Sequence, residues 1–358
     1  MSTARKMARL GGLFLGLASI AMAQKYTVKD LGVLSGDSAS QGFGLSPSGE
    51  VVGCSDTSVL GSFPCLGSLP GHAFLWSSSG GMQDLGTLDG AFSIAYGVNN
   101  AGQVAGYSLD SQGILTAFLW IQSTGMTPLG ALPGATYSYA FGVNSHGTIA
   151  GSSNSATSNG KIFAVLWNKS GSGYKVQKLP PAPRALYTLS GALNDSGEVA
   201  GFFSFGKPAK THAFLWTKAK GTVDLGVLPG GTNSNANAIN SLGTITGYGT
   251  TAAFPLGIAV NWDASGKIHR LGTLPGDSSS AGEGINDLGQ VVGFSADSAG
   301  TSRAVLWSQA HGMQDLNKLI PANSGWSLIY AGATNKKGQI TGYGTFNGEN
   351  HAFLLTPR

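Results

Sequence analysis

Short apolar runs alternate with Gly-rich polar segments along almost the whole chain. Seven of these runs are versions of one pentad, and consecutive copies end 44–49 residues apart. The copies are HAFLW ending at Trp76, TAFLW at Trp120, FAVLW at Trp167, HAFLW at Trp216, IAVNW at Trp262, RAVLW at Trp307 and HAFLL at Leu355. Apolar runs this short, bounded by Gly and polar residues, are typical of β-strands and too short for amphipathic helices.

A second pattern, Asn-x-x-Gly followed by another Gly four residues later, recurs between the pentads. Its copies are Asn99/Gly102/Gly106, Asn144/Gly147/Gly151, Asn194/Gly197/Gly201, Asn240/Gly243/Gly247, Asn286/Gly289/Gly293 and Asn335/Gly338/Gly342, with Ser46/Gly49/Gly53 as a seventh copy. Asn and Gly tolerate left-handed backbone conformations, so each copy predicts a tight turn between two strands. The constant length of the pattern indicates a structural hairpin and not a reactive site.

A third phrase of the type DLGTL follows most pentads and supplies one more strand. Four short strands in each repeat predict an all-β fold, a seven-bladed β-propeller of four-stranded antiparallel blades. The large side chains of the pentads should fill the layers between blades. The alternative is an open β-solenoid.

The two ends of the chain are complementary parts of one repeat. Residues 26–34 copy the third phrase without the first two, and the last repeat ends at its pentad without a third phrase. We therefore expect residues 26–34 to pair with residues 352–355 and to close the ring, which would remove two open sheet edges. An open solenoid predicts no such pairing.

The N-terminus has the features of a secretory signal peptide. Arg5, Lys6 and Arg9 precede a short apolar segment, residues 10–22, and an Ala-Met-Ala cleavage motif before Gln24. We expect residues 1–23 to be removed and residues 24–358 to form one domain that is secreted or periplasmic, monomeric and without a membrane span. Loss of three basic residues lowers the net charge from +4 to +1, which gives no reason to expect nucleic acid as a partner.

The chain has two cysteines, Cys54 and Cys65, eleven residues apart. A close pair in an exported protein predicts a disulfide bond. Two buried free thiols are the alternative.

The phrases HAFLW, GMQDLGTLDG and YGVNNAGQVAGYS together resemble the HAF-repeat family of bacterial exported proteins. The resemblance covers about residues 26–356 and implies an extracytoplasmic repeat protein. It implies no catalytic activity. Many relatives end in a sorting tail with a Pro-Glu-Pro motif, whereas this sequence ends in HAFLLTPR.

Chemistry-bearing residues do not form a recognisable motif. His72, His212 and His351 share one repeat position, at which other copies have Thr, Phe, Ile or Arg, so we expect them to pack or cap strands. Asp195 and Asp287 follow the turn Asn and resemble calcium-loop residues faintly; a turn role is favoured because calcium requires several carboxylates. The sequence predicts no catalytic residue, metal or cofactor.

Loops on one end of the predicted blades vary in length and carry aromatic residues, and function generally lies on such loops. Trp326 is the one Trp outside the pentads, in a loop longer than its counterparts. We predict that this face binds a glycan or protein, since aromatic faces beside amides suit sugars. The candidate residues are Trp326, Tyr330, Asn323, Ser324, Tyr137, Tyr139, Phe92 and Tyr187. Rings that fold inward and plug the channel mouth are the alternative.

Charge is distributed unevenly. Residues 30–160 contain seven acidic residues and no Lys or Arg, whereas residues 161–220 contain nine basic and two acidic residues. Lys161, Arg184, Lys207 and Lys210 in the third and fourth repeats form a candidate patch for an anionic envelope polymer or acidic partner. A solvated flank is the alternative.

The sequence as a whole favours a non-enzymatic exported propeller that binds a glycan or protein. Two alternatives stay open. The first is an extracytoplasmic glycan-acting enzyme, a hydrolase or lyase with its site in the same funnel. The second is a structural spacer without a ligand.

Overall fold

The computed structural model describes residues 26–57, 65 and 71–358. In this part of the chain there are 28 strands and two single-turn 3-10 helices, Ala156–Ser158 and Leu316–Lys318. The predicted signal peptide, residues 1–23, lies outside the described residues. No helix within the described ranges is long and apolar enough to cross a membrane.

The strands are grouped in fours along the chain, and each group is called a sheet below. Sheet 1 contains β2 (Ala39–Leu45), β3 (Val51–Asp56), β4 (Gly71–Ser77) and β5 (Gly81–Asp84). Sheet 2 contains β6 (Asp89–Val98), β7 (Val104–Asp110), β8 (Leu115–Ile121) and β9 (Gly125–Pro128). Sheet 3 contains β10 (Ser138–Val143), β11 (Ile149–Ser155), β12 (Lys161–Ser170) and β13 (Gly173–Lys178). Sheets 4 and 5 contain β14 (Tyr187–Leu193), β15 (Val199–Phe205), β16 (Lys210–Thr217), β17 (Gly221–Asp224); β18 (Ser234–Ile239), β19 (Ile245–Thr251), β20 (Phe254–Trp262), β21 (Ile268–Gly272). Sheets 6 and 7 contain β22 (Ser279–Ile285), β23 (Val291–Ala296), β24 (Ser302–Ser308), β25 (Gly312–Asp315); β26 (Trp326–Thr334), β27 (Ile340–Phe346), β28 (Glu349–Pro357) and β1 (Tyr26–Asp30).

Within each sheet, neighbouring strands are antiparallel. Sheets 1 and 2 are joined by a single parallel pair, Gly71 with Phe92. The fold is therefore all-β and built from four-stranded antiparallel units, as the repeat predicts.

The first described strand pairs with the last. Val28 lies opposite Leu355 and Asp30 opposite Phe353, so β1 is the fourth strand of sheet 7. The predicted pairing between the two ends of the chain is confirmed, although β1 ends at Asp30 and not at Leu34. Asp30 also contacts this sheet through its side chain, which lies 2.9 Å from Nδ1 of His351.

The apolar core lies in layers between consecutive sheets. In one layer Ala105 and Leu119 of sheet 2 pack with Ile149, Val165 and Trp167 of sheet 3. Corresponding layers join the other neighbouring sheets, and one layer joins sheet 7 with sheet 1. The pentad side chains therefore occupy the inter-sheet layers, as expected. Burial of both faces of each sheet supplies the hydrophobic stabilisation that an isolated sheet of this size lacks.

The Asn-x-x-Gly turns connect the first and second strands of sheets 2 to 7, and the turn that begins at Ser46 does so in sheet 1. Their Gly residues have positive φ, for example 68° at Gly102 and 77° at Gly243, which confirms the predicted left-handed turn. The Asn side-chain oxygen accepts hydrogen bonds from backbone amides of its own turn, as Asn99 does from Ala101 and Gln103.

The Asn amide nitrogen joins each turn to the next one. Nδ2 of Asn99 donates to the carbonyl oxygen of Asn144 at 2.8 Å, and the same bond recurs from Asn144, Asn194, Asn240 and Asn286 to the following turn. Asn335 donates to the carbonyl oxygen of Ser46 at 3.1 Å. Five of these hydrogen bonds link turns about one repeat apart in the sequence, and the bond from Asn335 reaches back 289 residues to the first turn.

The disulfide prediction is confirmed. Cys54 on β3 is bonded to Cys65, with the two Cα atoms 6.2 Å apart, a normal separation for a disulfide. The pair packs with Phe92 and Ile94 of sheet 2.

Candidate active site in the central cavity

The first strand of every sheet has a β-bulge at the same repeat position. The pairing register shifts around Phe43, Tyr96, Phe141, Gly191, Asn237, Glu283 and Gly332. A bulge adds one residue to a strand and changes the direction of a side chain. All seven residues line one cavity of about 450 Å³ between the first strands.

The lining of this cavity, called the central cavity below, is divided in two. Sheets 1 to 3 contribute three aromatic rings, with Phe43 and Tyr96 stacked at 5.1 Å and Phe141 set edge-on to Tyr96 at 5.5 Å. Sheets 5 and 6 contribute Asn237 and Glu283 to the opposite part. The cavity therefore has an apolar aromatic side and a polar side with one carboxyl group.

Glu283 is the sole acidic residue among the described residues that line the central cavity. Nδ2 of Asn237 donates to its Oε2 at 3.2 Å, and the Tyr330 hydroxyl donates a further hydrogen bond. Burial raises the pKa of Glu283 to about 7, although both hydrogen bonds act in the opposite direction. At neutral pH the carboxyl group is therefore divided between its protonated and ionised forms.

Tyr330 stays protonated beside this carboxyl group. Burial, and next the neighbouring Glu283 carboxylate, raise the pKa of Tyr330 well above its usual value. Its ring stacks on Tyr343 at 5.3 Å and on Phe294 at 6.1 Å, which fixes the direction of the hydroxyl. Glu283 and Tyr330 thus form a hydrogen-bonded acid–base pair with restricted geometry.

Towards the Asn turns, Leu, Val and Ile side chains line both the central cavity and a second cavity of about 290 Å³. Asp195 and Asp287 lie at this end. Asp195 accepts a hydrogen bond from the backbone amide of Ser145 at 2.8 Å, and Asp287 accepts one from Ser241 at 3.0 Å. These bonds join neighbouring turns, so the predicted turn role is supported. No group of His, Cys, Asp and Glu in the described ranges is arranged to hold a metal ion.

The His residues of the repeat pair with Asp at the edges of the sheets. Nδ1 of His72 lies 2.8 Å from Asp84, and Nδ1 of His212 lies 2.9 Å from Asp224. His351 pairs with Asp30 in the same way, and the hydrogen bond with Asp30 chiefly raises the pKa of His351. These contacts connect the third and fourth strands, consistent with the predicted structural role.

The predicted glycan-site residues lie in two places. Tyr330 lines the central cavity, whereas Trp326 and Ser324 line a separate surface cavity with Phe346. Trp326 is half-buried and stacks on Phe346 at 4.9 Å. Asn323 is exposed in the loop before Trp326.

The remaining predicted aromatic residues lie near the first strands. Tyr139 is set edge-on to Tyr107 at 4.9 Å, and Tyr137 lies 5.6 Å from Tyr139. Phe92 is buried against the disulfide, and Tyr187 packs edge-on against Phe202. A ligand role for these residues stays a prediction.

Sequence reasoning missed Glu283, Asn237 and the aromatic side of the cavity. The sequence does contain a signal. The position three residues before the Asn of each turn varies between Phe, Tyr, Gly, Asn and Glu, although the residues around it are similar in all repeats. A variable position inside a constant structural phrase indicates a side chain released from the core, and here it points into the central cavity.

Neither a family model nor a curated protein matches the chain in sequence. Solved structures of several enzymes are similar in fold. A streptogramin B lyase has a TM-score of 0.53 at 12% identity over 93% of this chain and 98% of its own. A puromycin hydrolase mutant complexed with PGG has a TM-score of 0.57 at 14% identity over 87% of this chain. The chain spans about half the length of that hydrolase.

These neighbours correct one expectation from the sequence. The non-enzymatic binding protein was wrong as the leading hypothesis, because the similar structures named above are enzymes, a lyase and a hydrolase. At such low identity the likeness shows the fold and not the reaction. The reaction has to be argued from the central cavity itself.

Proposed function

We propose that this protein is an exported seven-bladed β-propeller enzyme that catalyses a β-elimination in its central cavity. The observation that carries the proposal is Glu283, a carboxyl group with a pKa of about 7 that is hydrogen-bonded to the protonated hydroxyl of Tyr330. Buried groups with strongly shifted pKa values in a cavity are candidates for catalysis.

Three contacts support closure of the propeller. β1 completes sheet 7, a core layer joins sheet 7 with sheet 1, and Asn335 donates to Ser46 across the same junction. The disulfide and the predicted signal peptide support an extracytoplasmic location. Membership of the HAF-repeat family stays a prediction.

The number of carboxyl groups favours elimination over glycoside hydrolysis. Glycosidases generally place two carboxyl groups about 5–9.5 Å apart on either side of the scissile bond. The described lining of the central cavity contains Glu283 alone. One base and one neighbouring acid suffice for an elimination.

In the proposed reaction the Glu283 carboxylate removes a proton from a carbon next to a substrate carbonyl. The electrons of the C–H bond form a C=C double bond while the C–O bond at the β-carbon breaks. The leaving oxygen takes the proton of the Tyr330 hydroxyl. Glu283, now protonated, returns its proton to Tyr330 through their hydrogen bond, and the site is restored.

The substrate must carry a C–H next to a carbonyl and a β-oxygen leaving group. Free or esterified uronic acid units in glycans have this arrangement. The aromatic side of the cavity, formed by Phe43, Tyr96 and Phe141, can contact the apolar face of such a unit, and Asn237 can hydrogen-bond to its hydroxyl groups.

The test is a screen of uronate-containing polysaccharides in which the new conjugated double bond is followed by its ultraviolet absorbance. Glu283→Gln and Tyr330→Phe should each lower kcat by about 10²–10⁴-fold. The matched control is Glu349→Gln, because the Glu349 side chain is 67% exposed and lies outside the cavity. Full activity in Glu283→Gln, or reaction products without a double bond, would exclude this mechanism.

A further inference from the structure

A group of basic side chains lies at one end of sheets 3 and 4. Lys161 begins β12, Lys178 ends β13, Arg184 lies in the connection to β14, and Lys207 and Lys210 lie in the β15–β16 hairpin. Lys161, Arg184, Lys207 and Lys210 belong to the end of the sheets opposite the Asn turns. Lys178 lies opposite Val165 in the middle of β12, and its side chain extends over Phe163 towards that end. All five are exposed and are called the basic patch below.

The basic patch is not neutralised by acidic side chains. Among the residues that the structure describes, none of its five members forms an ion pair. Arg303 in sheet 6 shows the contrast, because its guanidinium contacts Asp277 and also lies 3.8 Å from Asp315. The charge of the patch is therefore available to a partner.

One lysine of the patch is held in place by an aromatic ring. Nζ of Lys178 lies 3.3 Å from the centre of the Phe163 ring, a cation–π contact that fixes its position. Burial, and next the positive charge of Lys161, lower the pKa of Lys178. An anion near these two groups would relieve their repulsion.

Arg184 occupies a left-handed position at which most corresponding loops have Gly. Its φ is 67°, and the equivalent residues Gly36, Gly134, Gly230 and Gly276 have φ between 67° and 93°. This conformation is unfavourable for a residue with a Cβ. A strained Arg on an exposed loop is a reason to look for a function of its side chain.

We propose that the basic patch binds an anionic polysaccharide. The charges are spread over separate segments of two sheets, so they suit a flexible chain that carries repeated anionic groups. Residues 30–160, which include sheets 1 and 2, carry seven acidic residues and no Lys or Arg. A stiff DNA duplex laid on this face would meet that acidic region, whereas a flexible polymer can follow the patch alone.

The experiment compares two variants with equal charge change on the same two sheets. The patch variant combines Lys161→Gln, Lys178→Gln, Lys207→Gln and Lys210→Gln. The control variant combines Lys169→Gln, Lys175→Gln, Lys218→Gln and Lys220→Gln, which are exposed residues at the Asn-turn end. Alginate is the probe, with neutral dextran, duplex DNA and anionic phospholipid vesicles as comparisons.

Alginate should bind the wild-type protein at low salt, and the patch variant should bind it at least about tenfold more weakly with a shallower salt dependence. The control variant should stay within about twofold of the wild type. Equal losses in both variants would show a net-charge effect only. Binding of DNA or vesicles in preference to alginate, or no binding of alginate, also overturns the proposal.

Arg184→Gly separates binding from folding. Gly relieves the left-handed strain, so the melting temperature should stay equal or rise while alginate affinity falls. A fall in melting temperature with unchanged affinity would make Arg184 structural. Alginate binding is measured in the Glu283→Gln background as well as in the wild type, so that cleavage of the probe is not mistaken for weak binding and the surface and the elimination mechanism can fail independently.

Discussion

Replacement of Glu283 by Gln should make the protein more stable at alkaline pH than the wild type. The folded protein holds the Glu283 proton more tightly than the unfolded chain, because burial raises the pKa from 4.5 to about 7. Ionisation of this group therefore favours unfolding. The stabilisation that the protonated Glu283 gives to the folded protein is complete below about pH 4.5. It is lost as the pH rises towards about 7, and the stability does not change further from this cause above that pH.

The size of the effect follows from the same two pKa values. One pKa unit corresponds to about 1.36 kcal/mol, so the contribution of Glu283 changes by about 3 kcal/mol between acid and alkaline pH. Gln keeps an oxygen that can accept the hydrogen bonds of Asn237 and Tyr330 but does not ionise. The variant should show no part of this pH dependence.

The measurement is urea unfolding of both proteins at several pH values, followed by Trp fluorescence. The informative quantity is the difference in unfolding free energy between variant and wild type. His351 also titrates in this range, with a raised pKa that makes its stabilisation disappear as the pH rises. Its contribution is common to both proteins and cancels in the difference, since distant sites are additive.

A difference that grows by about 3 kcal/mol from acid to alkaline pH supports the raised pKa of Glu283. A constant difference refutes it, because a carboxyl group with the same pKa in the folded and unfolded states loses its proton at the same pH in both and leaves the stability unchanged. In that case Glu283 would be a weak base at neutral pH, and the elimination mechanism would lose its central premise.

Other substitutions test the scaffold. Asn194→Ala should lower the unfolding free energy by about 1–3 kcal/mol, because buried groups of two turns lose their partners; denaturant unfolding measures this. Ser46→Asn should raise the unfolding free energy by about 1 kcal/mol, since the new side-chain amide can donate a hydrogen bond to the next turn. An unchanged denaturant midpoint would argue against a complete ring. Trp326→Ala should cost about 2 kcal/mol in a thermal melt, as expected for a half-buried stacked ring, and a far larger loss would make it a core residue. Deletion of residues 25–35 removes β1 and should lower the melting temperature and broaden the transition. An unchanged melting temperature would contradict ring closure.

The repeated parts of this protein could be predicted from the sequence because each has one physical cause that recurs. The Trp pentads are buried between sheets, and the Asn-x-x-Gly turns need the left-handed Gly that the structure shows. The hydrogen bonds between turns could not be foreseen. The Asn side chain is required by its own turn, and nothing local indicates that its amide also reaches the next repeat.

The division of the predicted loop site has an equally physical reason. Trp326 and Tyr330 are four residues apart on β26, and on a regular strand they would share a face. The pairing register shifts between Leu328 and Tyr330, and again beyond Ala331. A bulge reverses the side-chain alternation that follows it, so Trp326 packs towards the sheet edge and Tyr330 points into the central cavity.

The same bulges explain how a repetitive chain can form a specific site. Each sheet needs its pentad and its turn for stability, so those residues have little freedom to differ between repeats. The bulged residue is outside the inter-sheet core and can change without loss of packing. Seven such positions line one cavity, and a Glu beside an Asn of the neighbouring sheet is enough to place a carboxyl group of raised pKa among aromatic rings. A site of this kind leaves no contiguous motif, which is why the residues that matter are separated by whole repeats in the sequence.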